Sequence, residues 1–204
     1  MGGGYLNQTP TRYNLKLPRL LQQLHYDQVI VNWKLSDGNI LDHIKAGANT
    51  LLLNSCHSMA PHYPLRQLFL PTDVAQRLID ETTAPFDRHT VGLHFRGTDN
   101  VKCKARTTLD KFIGLIDAEL EREPSATFFL ATDEADVRRA LSERYGRRLM
   151  HRQAVLSRNS VEGILDAAVD LYSLARTRRL IGSYWSSFSE IAAELGGIEL
   201  EVCM

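Results

Sequence analysis

Cysteine is scarce: Cys56, Cys103 and Cys203 are the three in 204 residues, an odd number with no C-x-x-C spacing. That excludes a disulfide framework and the usual structural zinc spacings, and it predicts a reducing compartment. An excess of one charge is also lacking, since 24 Lys and Arg offset 24 Asp and Glu. No global field therefore steers the chain toward nucleic acid or an anionic membrane, and any anion site must be local. Long apolar runs are missing, so no membrane span is expected. The N-terminus has neither the basic start nor the apolar core of a signal peptide. Leu6 stands where a myristoylation signal needs Ser or Thr. Two motifs are absent as well. No G-x-G-x-x-G follows a strand-like run, which argues against a dinucleotide enzyme. No G-x-x-x-x-G-K-[ST] accompanies Asp133-Glu134-Ala135-Asp136, which argues against a helicase. The expectation is a soluble, cytoplasmic protein with neither nucleic acid nor membrane among its partners.

What is present is a 44% hydrophobic chain, enough for a sizeable core. The first 70 residues read as a small α/β piece: a helix within Leu15–Leu24, strands at Val29–Trp33 and Thr50–Asn54, and a short helix between them. Ser55–Pro71 holds Pro61, Pro64 and Pro71 and reads as a linker. Residues 71–204 alternate more regularly. Thr72 or Asp73 starts a helix running to Thr83, with Val74, Leu78 and Ile79 inward. Thr108 and Asp110 start another, carrying Leu109, Phe112, Ile113, Ile116 and Leu120 at helical spacing and stopped at Glu123-Pro124. Strands are expected at Thr90–Phe95, Thr127–Ala131, Arg148–His151, Arg179–Gly182 and Ile198–Val202. Helices fall between them, the last ending at Gly196. Strands alternating with helices imply a parallel sheet with right-handed crossovers.

The chemistry concentrates in His89–Asn100, HTVGLHFRGTDN. A short apolar run breaks into Arg96-Gly97-Thr98-Asp99, so a buried strand delivers His94 and Arg96, on one face, to its carboxyl end. Ligands of open α/β sheets bind at that edge. Arg96 offers a planar fork of donors matched to phosphate oxygens, or it pairs with Asp99 to brace the turn.

Two later stretches bear on that choice. Thr127–Ala140 reads TFFLATDEADVRRA, and Asp166–Leu195 reads DAAVDLYSLARTRRLIGSYWSSFSEIAAEL. Taken in order, H-x-R-x-T-D, then F-L-A-T-D, then D-L-x-x-L…S-S-F-S-x-x-A resembles the GDP-fucose-dependent fucosyltransferases. That superfamily includes the nodulation-factor, core, protein O- and α-1,2-fucosyltransferases. The resemblance implies a Rossmann-like parallel-sheet domain over 71–204 in a reduced GT-B-like two-lobe arrangement, with 1–70 as the smaller lobe and linker.

It also implies roles. Arg96 would neutralise the β-phosphate of GDP-fucose or another GDP-sugar, with His94 beside the nucleotide. Asp170 would reach the guanine edge, unless it is a solvated helix-surface residue. Ser186, Ser187 and Ser189 sit where a strand turns into a helix and would add donors for phosphate, Ser186 also serving as N-cap and Phe188 as core. Gly3, Gly4, Asn7 and Gln8 fit a donor-facing glycine-rich loop, with Leu6 in place of a glycine; the alternative is an unstructured terminus. No cofactor or metal is implied, because Arg96 supplies the charge a metal would. Asp133 would touch nucleotide or sugar, while Glu134 and Asp136 favour a helix N-terminus.

The chain departs from the pattern in places. Gly97 stands where many relatives carry a second Arg, and Asn100 and Lys104 stand where the core enzymes carry Lys and Glu. An inverting transfer needs a base for the acceptor proton, and Asp99, Asp133 and His57 are the candidates. The acceptor, glycan or protein, is unspecified. The alternative reading is a catalytically inactive GDP-sugar-binding domain or fragment.

Overall fold

The computed structural model describes residues 19–31, 40–54, 65–97, 106–155, 157 and 159–204. Asn7, Gln8, His57 and Asp99, and the loop carrying Lys102 and Lys104, lie outside the described residues. The chain divides into two compact units, Met1–His62 and Tyr63–Met204.

In the first unit, helix α1 (Arg19–His25) leads into strand β1 (Gln28–Val31), which pairs in parallel with β2 (Leu51–Asn54). Asp27 locks the start of that pair. Its carboxylate accepts from the backbone N–H groups of Asn49 and Thr50 at 2.8 and 2.9 Å, which lowers its pKa. The expected helix between the strands is a single 3-10 turn, Ile40–His43. Leu21 and Leu24 of α1 are exposed, and Gln22 between them is buried.

The second unit begins earlier than the boundary expected near residue 70. Short helix α2 (Leu65–Leu68) goes with it, packed beside the last helix, and Tyr172 Oη donates to the Phe69 carbonyl at 2.9 Å. Helix α3 (Asp73–Thr83) follows, capped by the Thr72 hydroxyl, which accepts from Ala75 N–H. Its buried residues are Ala75 and Ile79. Val74, expected inside, is 49% exposed because the face of α3 that meets its neighbour is narrower than its apolar pattern.

Five strands then form one sheet: β3 (Thr90–Phe95), β4 (Thr127–Thr132), β5 (Leu149–His151), β6 (Arg179–Ser183) and β7 (Glu199–Cys203). All are parallel, in the order β5-β4-β3-β6-β7. Helices α4 (Leu109–Arg122), α5 (Ala135–Tyr145), α6 (Val161–Leu174) and α7 (Ser187–Gly196) make the crossovers.

Both faces of the sheet are covered at its centre, so β3 and β4 are buried nearly throughout and alternate by destination rather than by polarity. Val91, Leu93, Phe128 and Leu130 pack with Phe112 and Ile116 of α4 and Leu141 of α5. Phe129, Ala131 and Leu180 turn the other way, toward Leu174 of α6 and Ala192 of α7. Outside α6 lies α3, joined through Ile79 and Val169 and by Arg176 Nη1 donating to Asp80 at 2.6 Å. Burying each large apolar side chain fully contributes about 1.5–3 kcal/mol, and Phe112, Phe128, Phe129, Leu141 and Leu174 are among those essentially inaccessible.

The last helix stops one residue later than expected. Gly196 is still helical, and Gly197 takes the left-handed conformation (φ 62°), donating to the carbonyls of Ala193 and Glu194.

From β3 the chain winds outward through β4 to β5, then returns to place β6 on the other side of β3. That reversal makes β3/β6 the topological switch point, where the carboxyl ends of adjacent strands diverge and leave a crevice.

Candidate active site

At the carboxyl edge beside this switch point lies a cleft of about 300 Å3, bordered by His94, Arg96, Asp133, Asp170, Ile164 and Phe188. Four of the expected site residues, from three different elements, are thus brought together. His94 and Arg96 leave the end of β3, Asp133 follows β4, and Asp170 projects from the middle of α6.

The turn after β3 is held from both neighbouring strands. Arg96 N–H donates to Ser183 Oγ at 2.9 Å, and that hydroxyl lies 3.2 Å from the His94 carbonyl, to which it donates. Gly97 N–H donates to Asp133 Oδ1 at 2.9 Å, while Asp133 Oδ2 lies 3.8 Å from Arg96 Nε. Arg96 is therefore oriented by the carboxylate that ends the next strand and keeps about a quarter of its side chain exposed. A Cβ at Gly97 would stand 1.8 Å from the Glu134 carboxylate, so a larger residue in this turn requires the Glu134 side chain to move.

His94 is buried within the sheet and still borders the cleft. Its Nδ1 lies 2.7 Å from Ser189 Oγ and 3.5 Å from Ser186 Oγ, and the Phe188 ring packs against the imidazole at 4.7 Å between centroids. Burial pushes its pKa down to about 4; Asp133 opposes that shift and Arg96 adds to it. At neutral pH the imidazole is uncharged, a hydrogen-bonding group rather than a cation.

The serines sit differently from their expected placement. Ser186 holds the N-cap position of α7 with its backbone, but its side chain makes no capping bond and points to His94. Ser189 is buried against His94 and Gly182, and Ser187 is exposed. None of the three lines the cleft, whereas Phe188, expected as core, does.

Asp170 is an almost buried carboxylate, not a solvated one. Burial pushes its pKa up to about 6, against the pull of Arg152, whose Nη1 donates to Asp170 Oδ1 at 3.3 Å. Arg152 and Asp166 escaped the sequence reading. Asp166 lies one helical turn before Asp170, a spacing that could have marked it; Arg152 sits in irregular chain after β5 and carries no such signal. Among the described residues, no group of three His, Cys, Asp or Glu side chains is placed to hold a metal, and no helix is long and apolar enough to cross a membrane.

Fold and cleft together define a Rossmann-like α/β domain with a cationic side chain and a buried carboxylate at its switch point. Among the solved structures that share this fold are GT-B fucosyltransferases. Fucosyltransferase NodZ from Bradyrhizobium superposes with a TM-score of 0.56 at 18% identity, over 91% of this chain and 62% of that one. A mutant of Arabidopsis thaliana FUT1 in complex with GDP gives 0.59 at 14% identity, over 97% and 57%. POFUT1 in complex with GDP gives 0.54 at 11%, over 75% and 54%. At such identities the likeness is one of fold, and the chain spans less than two thirds of each structure's length. No family model and no curated protein matches the sequence.

Proposed function

We propose that this chain is a glycosyltransferase that binds a GDP-sugar, GDP-fucose foremost, and transfers the sugar with inversion and without a metal to a glycan or protein acceptor. The observation that carries the reading is Arg96 at the carboxyl end of the central strand, in one cleft with His94, Asp133 and Asp170, in a fold shared with structures solved with GDP.

The chemistry follows from the groups. The acceptor hydroxyl attacks the anomeric carbon, the bond from that carbon to the β-phosphate oxygen breaks, and GDP leaves with the electron pair. Charge grows on the β-phosphate as the bond opens, so a guanidinium fixed beside it favours the transition state over the ground state. Asp133 holds Arg96 in place through its second oxygen and the Gly97 amide. Neutral His94 donates or accepts a hydrogen bond without competing for the phosphate. Asp170 receives the base edge. The acceptor proton goes to a carboxylate, Asp133 or Asp99. Metal independence rests on Arg96 as the charge for the leaving group.

One observation favours a second reading, a GDP-sugar-binding domain without transfer: Asp133 is already engaged by Gly97 and Arg96. The test is thermal melting with GDP and GDP-fucose. GDP is expected to raise the melting temperature, and Arg96→Ala to remove the rise; melting unchanged by GDP in the native protein rejects both readings. Slow release of fucose from GDP-fucose separates the enzyme from the binding domain.

A further inference from the structure

Arg152 has no part in the scheme above, yet it is tied into the cleft wall. Its side chain is 17% exposed. Nη2 donates to Asp166 Oδ1 at 2.7 Å, and Nη1 reaches the Asp166 carbonyl at 3.2 Å and Asp170 Oδ1 at 3.3 Å. Asp166 Oδ2 accepts from the backbone N–H of Val155 at 2.7 Å. Asp166 thus fastens the segment that builds one wall of the cleft, Ala154 and Val155, onto α6 and aims the guanidinium at Asp170. Asp170 Oδ1 keeps a second lone pair, and Oδ2 has no hydrogen-bond partner among the described residues.

We propose that Arg152 sets the base specificity of the cleft by holding Asp170 as a carboxylate, so that Asp170 presents acceptors only to the nucleobase. This rests on the GDP-sugar reading. The pairing edge of guanine offers two adjacent donors, a ring N–H and the exocyclic amine, which an ionised carboxylate complements. Adenine offers a ring nitrogen lone pair beside its amine, so an ionised carboxylate meets a lone pair with a lone pair. A protonated carboxyl has one donor and one acceptor, the complement of adenine. The ionisation state of one side chain therefore separates the two bases.

Arg152 is the cation in hydrogen-bond contact with that side chain. Arg138 of α5 acts on it only through space, and Asp166 opposes ionisation. His94, Arg96 and Asp133 border the same cleft, and His94 stays neutral above about pH 4. Burial pushes the Asp170 pKa up to about 6 and Arg152 holds it down, so losing the guanidinium charge raises it further.

The experiment compares GDP and ADP affinities by calorimetry on the whole chain at pH 8 and pH 5. The native protein is expected to prefer GDP at pH 8 and to lose about tenfold or more of that preference at pH 5, one pKa unit corresponding to tenfold. The diphosphate titrates alike in both nucleotides, so the ratio cancels it. Arg152→Gln is expected to lose part of that preference at pH 8, with ADP binding no weaker than before, and Arg152→Lys to restore most of it. An Arg152→Gln protein that folds and keeps the native preference overturns the proposal, as does a native preference flat between the two pH values. Should Arg152→Gln not fold, the native pH series decides alone. A native protein that binds neither nucleotide removes the GDP-sugar reading, and this inference with it; GDP binding with an unaltered ratio removes this inference only.

Discussion

His94 and Asp170 are both displaced by burial in the same cleft, and in opposite directions along the pH axis. His94 falls to about 4 and Asp170 rises to about 6. The unfolded histidine titrates near 6.5, so below that the unfolded chain binds the extra proton. His94 therefore costs stability as pH falls from about 6.5 to 4, at most about 3 kcal/mol. For Asp170 the folded state binds the proton first. Its contribution is complete below the unfolded pKa of 3.8 and is lost as pH rises through about 6. The two largely offset one another between pH 4 and 6. Asp170→Asn removes one side of this balance. Its melting temperature is expected to exceed that of the native protein at pH 7.5, and the gap to shrink as pH falls below 6. Differential scanning fluorimetry across that range checks it, and a gap that widens on acidification contradicts the assignment of Asp170 as the buried carboxylate.

The segment from β5 into α6 is the element that shapes the cleft, and its fit depends on Gly163. A Cβ there would stand 1.9 Å from the Ser157 carbonyl oxygen, a backbone atom that cannot swing aside. The Gly163 N–H is meanwhile capped by Ser160 Oγ at 3.1 Å. Gly163→Ala is therefore expected to push the segment off α6, cost about 1–3 kcal/mol as overpacking does, and weaken GDP binding. Gly114 is the control: it lies inside α4, and a Cβ there meets nothing within 4 Å. Gly114→Ala is expected to gain about 0.5–1 kcal/mol, the helix preference of alanine over glycine, and to leave GDP binding alone. Denaturant midpoints with a GDP titration separate the two.

Across the second unit as a whole, the two ends of the sheet carry different duties. The carboxyl edge holds the cleft. Where β6 begins, Glu119 of α4 is fully buried among the guanidinium groups of Arg122, Arg178 and Arg179, and Arg179 also meets Glu201 of β7. Removing the anion leaves three guanidinium groups gathered at one point, with Glu199 and Glu201 alone against Arg179, so Glu119→Ala is expected to cost about 3 kcal/mol. The folded fraction is expected to bind GDP as the native protein does. A large loss of GDP affinity at a temperature where the variant is folded contradicts this division.

Much of that architecture was legible beforehand, for reasons that can be named. The strands Thr90–Phe95 and Thr127–Thr132 announce themselves as short apolar runs ended by polar turns, and α4 by Phe112, Ile113, Ile116 and Leu120 at helical spacing. The Thr72 and Thr108 caps follow from side-chain oxygens placed to receive an N–H three residues on. Glu119 was not legible, because a charge at a helical position reads as solvated until a partner from another element is known. Val74 failed the other way: an apolar stripe says what can be buried, and only a neighbour decides what is.

By itself, then, the sequence determined the alternation of strand and helix, the parallel sense of the sheet and the delivery of His94 and Arg96 to a carboxyl edge, since these depend on local periodicity and chain direction. Tertiary structure alone decided that β6 lies beside β3, that Ser186 and Ser189 turn to His94, and that Arg152 stands against Asp170. Those are pairings between residues 18 to 95 positions apart, and no local pattern encodes which distant partner desolvates or neutralises a given group.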